Sequence, residues 1–251
     1  MTGSDIAIEV AVFTPQAALV AAENGADRIE LCSGYSEGGL SPSAGVIRRV
    51  RESITIPMHV MVRPRIGDFL YSDFEKEAIL ADIEFCKSVG ADGIVTGALT
   101  EQGGIDTAFI KEVVAATAPL TVTFHRAFDI CHDMYEGVSQ LIECGVRRIL
   151  TSGGKQTALE GAETIARLVK LAGDKLIILP GSGINPSNVH DLISRTAVRE
   201  VHLSAKTLVA SRMVKGREVS LTSDGEVSEG GGGMSVTGAC FASCARLHGD
   251  E

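Results

Sequence analysis

Short runs of aliphatic and β-branched residues recur along the chain, and a segment with helical spacing follows most of them. Gly25, Gly90 and Gly145 each lie just before such a run, where the preceding helix needs a residue in the left-handed conformation. Consecutive runs lie roughly 30 residues apart, the length of one strand with its connecting helix. The pattern predicts eight strands, at residues 6–12, 28–32, 57–62, 93–97, 120–125, 147–151, 175–180 and 199–204.

The segments between the runs carry helical signals. Residues 14–24 have Pro15 in their first turn, a position that suits proline. Residues 73–89 place Ile79 and Ile83 at helical spacing. Eightfold alternation of strand and helix predicts a parallel sheet that closes on itself, a (β/α)8 barrel of the TIM type. The alternative is a doubly wound open sheet. The first strand is not followed by a GxGxxG motif, and this argues against that alternative.

The pattern becomes less regular after Ser204. Two short alternating runs at residues 212–221 predict a β-hairpin, and residues 228–233 form a flexible glycine-rich stretch. Residues 235–248 remain for a short closing helix. We therefore predict a single barrel domain over residues 1–251, in which 206–251 is a divergent loop, hairpin and helix.

Composition supports a buried parallel sheet and narrows the possible partners. Hydrophobic residues make up 45% of the chain but aromatic residues only 4%, so Val, Ile, Leu and Ala must build the core. The net charge of -9 and the scarcity of aromatic residues argue against nucleic-acid binding. No apolar run reaches the ~20 residues of a membrane span. The N-terminus lacks a signal-peptide pattern, so we expect a cytoplasmic protein whose six cysteines are reduced.

In such a barrel, the functional site lies at the C-terminal ends of the strands. The seventh strand ends in Gly181, Ser182 and Gly183, followed by Asn185 as the predicted N-cap of a helix. Small residues at a helix N-terminus let a phosphate approach backbone N–H groups, and Ser204 at the end of the eighth strand adds a hydroxyl. The alternative is that the glycines only permit a tight turn.

The third strand is followed by Arg63, Arg65 and Asp68. Two arginines around a rigid proline favour a fixed clamp for an anion. The alternative is a surface ion pair with Asp68.

The fifth strand leads into His125, Arg126 and Asp129, and we expect Arg126 and Asp129 to contribute to anion binding. A histidine beside an arginine is a candidate general acid or base, with its pKa lowered by the neighbouring cation. The alternative is a histidine held by backbone hydrogen bonds. His202, in the eighth strand, is a second candidate for the acid–base role.

Two carboxylates, Glu9 and Glu30, fall inside the first and second strands. A carboxylate in a barrel interior is costly unless it is paired. Each should therefore pair with Arg63 or Arg126, or serve as a base or a metal ligand. The chain contains no HxH, HExxH or CxxC motif for a metal.

Long ordered motifs resemble one known family, the CutC copper homeostasis family. They are ADRIELCSGYSEGGLSPS, PMHVMVRPRIGDFLYSD, ADGIVTGALTEQGGID, LTVTFHRAFDICHD, RRILTSGGKQTALEG, PGSGI and HLSA, and they span residues 8 to 205. The resemblance implies a TIM-type barrel, a cytoplasmic location and self-association as dimers or tetramers.

The same resemblance implies Cu(I) binding by two cysteines, one in each of the first two strands. Thiolates suit soft Cu(I). Cys32 matches the second ligand, but the first position is Ala11, which cannot ligate a metal. Met61 offers a thioether, although core packing is the expected role of a methionine in a strand.

Three functions are compatible with these residues. The first is a copper-homeostasis protein that binds Cu(I) weakly through Cys32. The second is an enzyme for a small anionic substrate, preferably phosphorylated, in which His125 or His202 acts as acid or base. In that reading Arg63 and the 181–183 turn bind the anion, and Glu9 or Glu30 assists. The third is a binding or scaffold barrel without chemistry.

Overall fold

The computed structural model describes residues 6–204 and two further short strands. Eight parallel strands lie in the first part, each inside one of the predicted runs: β1 Ala7–Val12, β2 Arg28–Leu31, β3 Met58–Met61, β4 Gly93–Thr96, β5 Thr121–Phe124, β6 Arg148–Thr151, β7 Ile177–Pro180 and β8 Glu200–Leu203. The two further strands, β9 (Lys206–Val209) and β10 (Gly233–Val236), pair with each other in antiparallel orientation.

Within residues 6–204, seven helices alternate with the strands: α1 Pro15–Glu23, α2 Ala44–Ser53, α3 Asp73–Ser88, α4 Thr107–Thr117, α5 Met134–Cys144, α6 Ala162–Ala172 and α7 Val189–Thr196. A short 3-10 helix, Arg126–Ile130, follows β5. The predicted bounds of α1 and α3 hold because the sequence carries their caps. The Thr14 side chain accepts from the Ala17 N–H, and Ser72 forms a capping box with Glu75.

The strands run in the order β7-β6-β5-β4-β3-β2-β1-β8, and every pairing within this sheet is parallel. β7 and β8, at the two ends of this order, contact each other, so the sheet wraps into a barrel. The predicted (β/α)8 barrel is therefore confirmed, and the open doubly wound sheet is wrong. None of the described helices has the length and apolar composition needed to cross a membrane.

Alternation along each strand separates two environments. Ile8, Val10 and Val12 of β1 point outward into the hydrophobic layer between the sheet and the helices. The intervening residues, such as Glu9 and Ala11, point into the barrel. The outer layer supplies the apolar core, which leaves the barrel interior free to hold polar side chains.

Two local predictions need correction. The helix after β7 begins at Val189, not at Pro186, because Asn185 and Asn188 close a separate turn before it. The Asn185 side chain accepts from the Ser187 N–H, and the Asn185 N–H donates to the side chain of Asn188. The start of the predicted closing helix is also wrong, since residues 235 and 236 belong to β10. The rest of that helix and the predicted hairpin at 212–221 lie outside the described residues, as does almost all of the glycine-rich stretch.

Candidate functional site

A cavity of about 460 Å³ opens at the C-terminal ends of the strands, where a functional site was predicted. We call it the mouth cavity. Apolar and polar side chains from most of the strands line it, and they include Ala11, Phe13, Glu30, Cys32, Met61, Arg63, Phe69, His125, Arg126, Leu150, Ser182, Gly183, His202 and Ser204. A mostly apolar cleft with a few converging polar groups is typical of a small-molecule site.

A network of ion pairs lies beneath the mouth cavity. Arg28 donates to Glu9 Oε2 at 2.5 Å and to Glu200 Oε2 at 2.6 Å, and Arg148 donates to the same Glu200 oxygen at 2.9 Å. Glu9 Oε1 lies 2.7 Å from His202 Nδ1. Burial opposes the ionisation of Glu9, but the hydrogen bond with His202 and the charge of Arg28 outweigh it and hold the pKa of Glu9 well below its usual range.

These contacts correct the predicted pairing of the two buried carboxylates. Glu9 does not pair with Arg63 or Arg126, because the strand register places Glu9 beside Arg28 on β2 and the barrel closure places it beside His202 on β8. Glu30 has no arginine partner within residues 6–204.

Glu30 and His202 form the centre of the mouth cavity floor. Glu30 Oε2 accepts from the Cys32 thiol at 3.4 Å and lies 3.8 Å from His202 Nε2. Glu30 Oε1 is buried and has no hydrogen-bond partner in the part of the chain that the structure describes. Burial, together with the charge of Glu9, raises the pKa of Glu30. Burial opposes a charge on His202, but Glu30 and Glu9 outweigh it and raise the pKa of the imidazole.

His125 lies across the cavity from Glu30, since β5 and β2 are three strands apart in an eight-stranded barrel. Its Nδ1 accepts from the Ala127 N–H at 3.2 Å, which leaves the proton of the neutral ring on Nε2. Among the described residues, Nε2 has no partner. Burial and then the charge of Arg63 lower the pKa of His125 to about 3. The predicted lowering is found, but its electrostatic source is Arg63 and not the adjacent Arg126.

The two arginines after β3, Arg63 and Arg65, lie in different environments. Arg63 is buried, and its guanidinium donates to the carbonyl oxygens of Glu37, Gly39 and Gly67 while it stacks on Phe69. Arg65 turns to the surface, where it pairs with Asp68 at 3.0 Å and with Glu75. The predicted clamp of two arginines is therefore not formed, because Arg63 lines the mouth cavity and Arg65 and Asp68 do not.

Asp129 is a structural anchor for the loop after β6. Its carboxylate accepts from the Thr151 hydroxyl at 2.5 Å and from the N–H groups of Ser152 and Gly154. Arg126 donates to the Asp129 carboxylate at 2.7 Å and to the Ser152 hydroxyl at 2.8 Å. Of the two predicted anion-binding residues, Arg126 lines the cavity, whereas Asp129 is occupied by the loop.

The turn after β7 lies at the rim of the mouth cavity and has backbone N–H groups without acceptors among the described residues. Ser182 and Gly183 both have positive φ angles, 81° and 72°. Their N–H groups have no acceptor among the described residues, while the Gly181 N–H donates to the carbonyl of Thr151. Two consecutive free amides at the rim of a cavity form a concavity suited to an anion. Ser204 also lines the cavity, whereas Gly181 lies behind it against Leu150.

The sulfur-containing side chains form one wall of the cavity. Cys32, Met61 and Val95 pack together, and Ala11 faces the cavity beside them. Burial, and then the nearby Glu30, raise the pKa of the Cys32 thiol well above its usual value. This donor set of one protonated thiol and one thioether is soft enough for Cu(I), but it lacks a second thiolate.

Three interior residues were not among the predicted site residues: Arg28, Glu200 and His59. Arg28 and Glu200 complete the ion-pair network, and the pKa of His59 is lowered to about 4 by burial. Residues two apart in a strand face the same side of the sheet, and this alternation could have identified all three as interior residues. Arg28 lies two residues before Glu30, His59 two before Met61, and Glu200 two before His202.

The fold defines a TIM-type barrel protein with a cavity at the C-terminal mouth. A family model described as the CutC family matches residues 6–207, and the chain belongs to this family. The human copper homeostasis protein cutC homolog is 47% identical over 206 residues, which cover 82% of this chain and 76% of that protein. A family protein CutC from Xylella fastidiosa is 45% identical over 210 residues, which cover 84% and 79% of the two chains.

A solved structure is similar to this protein in both fold and sequence. The putative copper homeostasis protein CutC from Streptococcus agalactiae matches with a TM-score of 0.76 and 30% identity. The match covers 79% of this chain and 98% of that one. The likeness therefore extends over the described barrel.

Proposed function

We propose that this CutC-family barrel is an enzyme that performs acid–base chemistry on a small anionic substrate in the mouth cavity. One observation carries the proposal: a buried acceptor, Glu30 Oε1, and a buried donor, His125 Nε2, line one cavity from different strands, and neither has a hydrogen-bond partner in the described part of the chain. An unsatisfied buried polar group costs ~1–3 kcal/mol. A ligand in the cavity would satisfy both groups and offset this cost.

The two groups suit different roles. His125 is neutral at physiological pH and its ring is fixed by the Ala127 N–H, so Nε2–H is a fixed hydrogen-bond donor for a substrate oxygen. Glu30 and His202 have raised pKa values and lie 3.8 Å apart, which suits them to accept and return a proton. Glu9 orients His202 through Nδ1.

The positive groups of the rim favour an anionic substrate. Arg63 brings its charge to the cavity wall, and Arg126 lines the opening with its side chain 45% exposed. The free amides of Ser182 and Gly183 add donors for a phosphate or carboxylate oxygen. Abstraction of a proton from the carbon next to a carbonyl group is the simplest reaction for this arrangement. The base takes the proton while His125 stabilises the oxyanion that develops on the carbonyl oxygen.

Ligand screening tests the proposal. We expect a phosphate monoester or small carboxylate to raise the melting temperature of the wild type, and His125→Asn to weaken that ligand at least about tenfold. Asparagine retains an acceptor near Ala127 but loses the donor at Nε2. His190→Asn, on the exposed surface of α7, is the matched control and should bind normally. A broad anion panel without any shift, or equal affinity in His125→Asn, would refute the proposal.

A second candidate function is Cu(I) binding through Cys32 with help from Met61. Cys32 Sγ and Met61 Cε lie 3.7 Å and 3.4 Å from the position that a Cβ on Gly39 would occupy, so both groups border one small space. Because the metal must displace a proton from a buried thiol, affinity should fall steeply as the pH is lowered.

An anaerobic Cu(I) titration against a competing chelator tests this candidate. Binding should be lost in Cys32→Ser and kept in Cys131→Ser, whose cysteine lies away from the mouth cavity. Wild-type protein that fails to compete, or Cys32→Ser that competes equally well, would exclude it.

Family membership also supports a cytoplasmic location and assembly into dimers or tetramers, which we include in the proposal. Sedimentation equilibrium at micromolar concentration tests the assembly. A monomer at all concentrations would contradict it.

A further inference from the structure

We propose that Glu30 and His202 are the direct ligands of a divalent cation such as Zn²⁺ or Mn²⁺ on the floor of the mouth cavity, with Glu9 orienting His202. The ligand atoms of the three buried side chains all lie within 4.8 Å of one another. The site uses hard and borderline donors, so it differs from a Cu(I) site built on Cys32.

The separation of the two ligands fits a shared ion. Glu30 Oε2 and His202 Nε2 are 3.8 Å apart, too far for a hydrogen bond. Zinc binds carboxylate oxygen and imidazole nitrogen at ~2.0–2.2 Å, so a tetrahedral centre places two such ligands about 3.4 Å apart. A movement of a few tenths of an ångström therefore brings both side chains onto one ion.

The unpartnered oxygen is a second, independent indication. Glu30 is 3% exposed, lines the cavity, and has no partner for Oε1 among the described residues. A buried carboxylate in this state is costly, and a cation offsets that cost directly. The Cys32 thiol donates to Oε2, the oxygen nearer to His202. Bidentate binding by Glu30 brings both oxygens to the ion and so satisfies Oε1 as well.

The outer contacts of His202 match those of metal-binding histidines. Such histidines generally donate their second ring N–H to a carboxylate, which fixes the tautomer and directs the other nitrogen to the metal. Glu9 Oε1 is 2.7 Å from His202 Nδ1, and Arg28 donates to the other oxygen of Glu9. In a neutral ring that donates from Nδ1 to Glu9, the lone pair of Nε2 faces Glu30. The remaining coordination positions face the cavity, where water or substrate has access.

The cation changes how the site works but does not depend on the enzymatic proposal. With an ion bound, Glu30 and His202 are occupied, and a water on the ion would take over the proton-accepting role that the proposed function assigns to them. Titration with the metal alone needs no substrate. Its result is therefore independent of the anion screen on His125→Asn, and either proposal can fail while the other stands.

The experiment uses full-length protein without a polyhistidine tag, freed of metal by a chelator. Zn²⁺ is titrated against a chromophoric chelator, and Mn²⁺ binding is followed by loss of the free-ion paramagnetic resonance signal. We expect one ion per chain and at least about tenfold weaker binding in Glu30→Gln. The matched control is Glu163→Gln, which makes the same change at a glutamate of α6 whose side chain is 78% exposed, and which should bind the ion as the wild type does.

A second variant guards against misfolding. If Glu30→Gln does not melt cooperatively, His202→Gln replaces it, with the same expected loss. Binding that survives substitution of Glu30 or His202 lies elsewhere on the chain and overturns the proposal, as does the absence of binding to the wild type. Equal loss in Glu163→Gln would also overturn it, because that result would show that the loss is not specific to the cavity floor.

Discussion

Replacing Arg28 with methionine should destabilise the barrel strongly, because Arg28 is the shared partner of two buried carboxylates. Its side chain is 8% exposed and bonds to Glu9 at 2.5 Å and to Glu200 at 2.6 Å. Removing one partner of a buried ion pair costs ~3–5 kcal/mol. Glu200 keeps Arg148 and Glu9 keeps His202, so we expect the lower part of that range, about 3 kcal/mol.

Thermal unfolding measures this effect. For a chain of this size, 1 kcal/mol corresponds to ~2–4 °C, so the midpoint should fall by about 6–12 °C. The matched control is Arg199→Met, because Arg199 pairs with Asp174 at 2.9 Å but the two side chains are 73% and 86% exposed. An exposed pair contributes at most ~1 kcal/mol, so the control should lose no more than about 4 °C. Equal losses in the two variants would refute the argument that burial sets the value of the Arg28 pairs.

Three further predictions concern single positions. Between pH 7 and pH 5, His125 should lower the free energy of unfolding by roughly 2 kcal/mol, because its pKa is near 6.5 in the unfolded chain and about 3 in the folded protein. Urea unfolding of the wild type and of His125→Asn at several pH values measures the contribution of this histidine. Equal dependence on pH in the two proteins would contradict the prediction. Ala11→Cys should raise Cu(I) affinity at least about tenfold by giving Cys32 a second thiolate, as measured by chelator competition, and unchanged affinity would show that the two positions cannot share an ion. Gly161→Ala should lower the free energy of unfolding by about 3 kcal/mol or more, because the added Cβ would lie 1.9 Å from a backbone carbonyl oxygen of the loop after β6. In the control Gly45→Ala, in α2, the added Cβ meets nothing within 4 Å, so this variant should be neutral or stabilising. Comparable unfolding midpoints of the two variants in urea would contradict this reasoning.

The barrel was predictable because its signals are local. Each strand is a short aliphatic run, and Gly25, Gly90 and Gly145 all have the positive φ angles expected before the runs. The helix after β7 was misplaced for an equally local reason. An asparagine followed by proline favours an N-cap, but a second asparagine three residues later, Asn188, closes its own turn with Asn185. The sequence carries both signals, and it does not indicate whether the helix begins at Asn185 or only after the turn that Asn188 closes.

The sequence indicated which residues surround the cavity better than it indicated their partners. Glu9, Glu30, His125 and His202 line or underlie one cavity, but sequence proximity suggested the wrong neighbours for them. Arg126 follows His125 along the chain and bonds to the loop after β6, whereas the charge that acts on His125 belongs to Arg63. Strand register and barrel closure determine such neighbours, and neither can be derived from the order of residues in one strand.

The barrel interior changes in character from the base to the mouth. Near the base, the charges of Arg28, Arg148 and Glu200 are matched by hydrogen-bonded partners, and among their neighbours His59 Nδ1 has none within the described residues. At the mouth, Glu30 Oε1 and His125 Nε2 have none among the described residues. Hydrophobic side chains of similar volume would stabilise a barrel at least as well as a buried ion-pair network does. The paired layer is therefore best explained by what it does for the layer above, since it keeps Glu9 ionised and Glu9 fixes the ring of His202 toward Glu30.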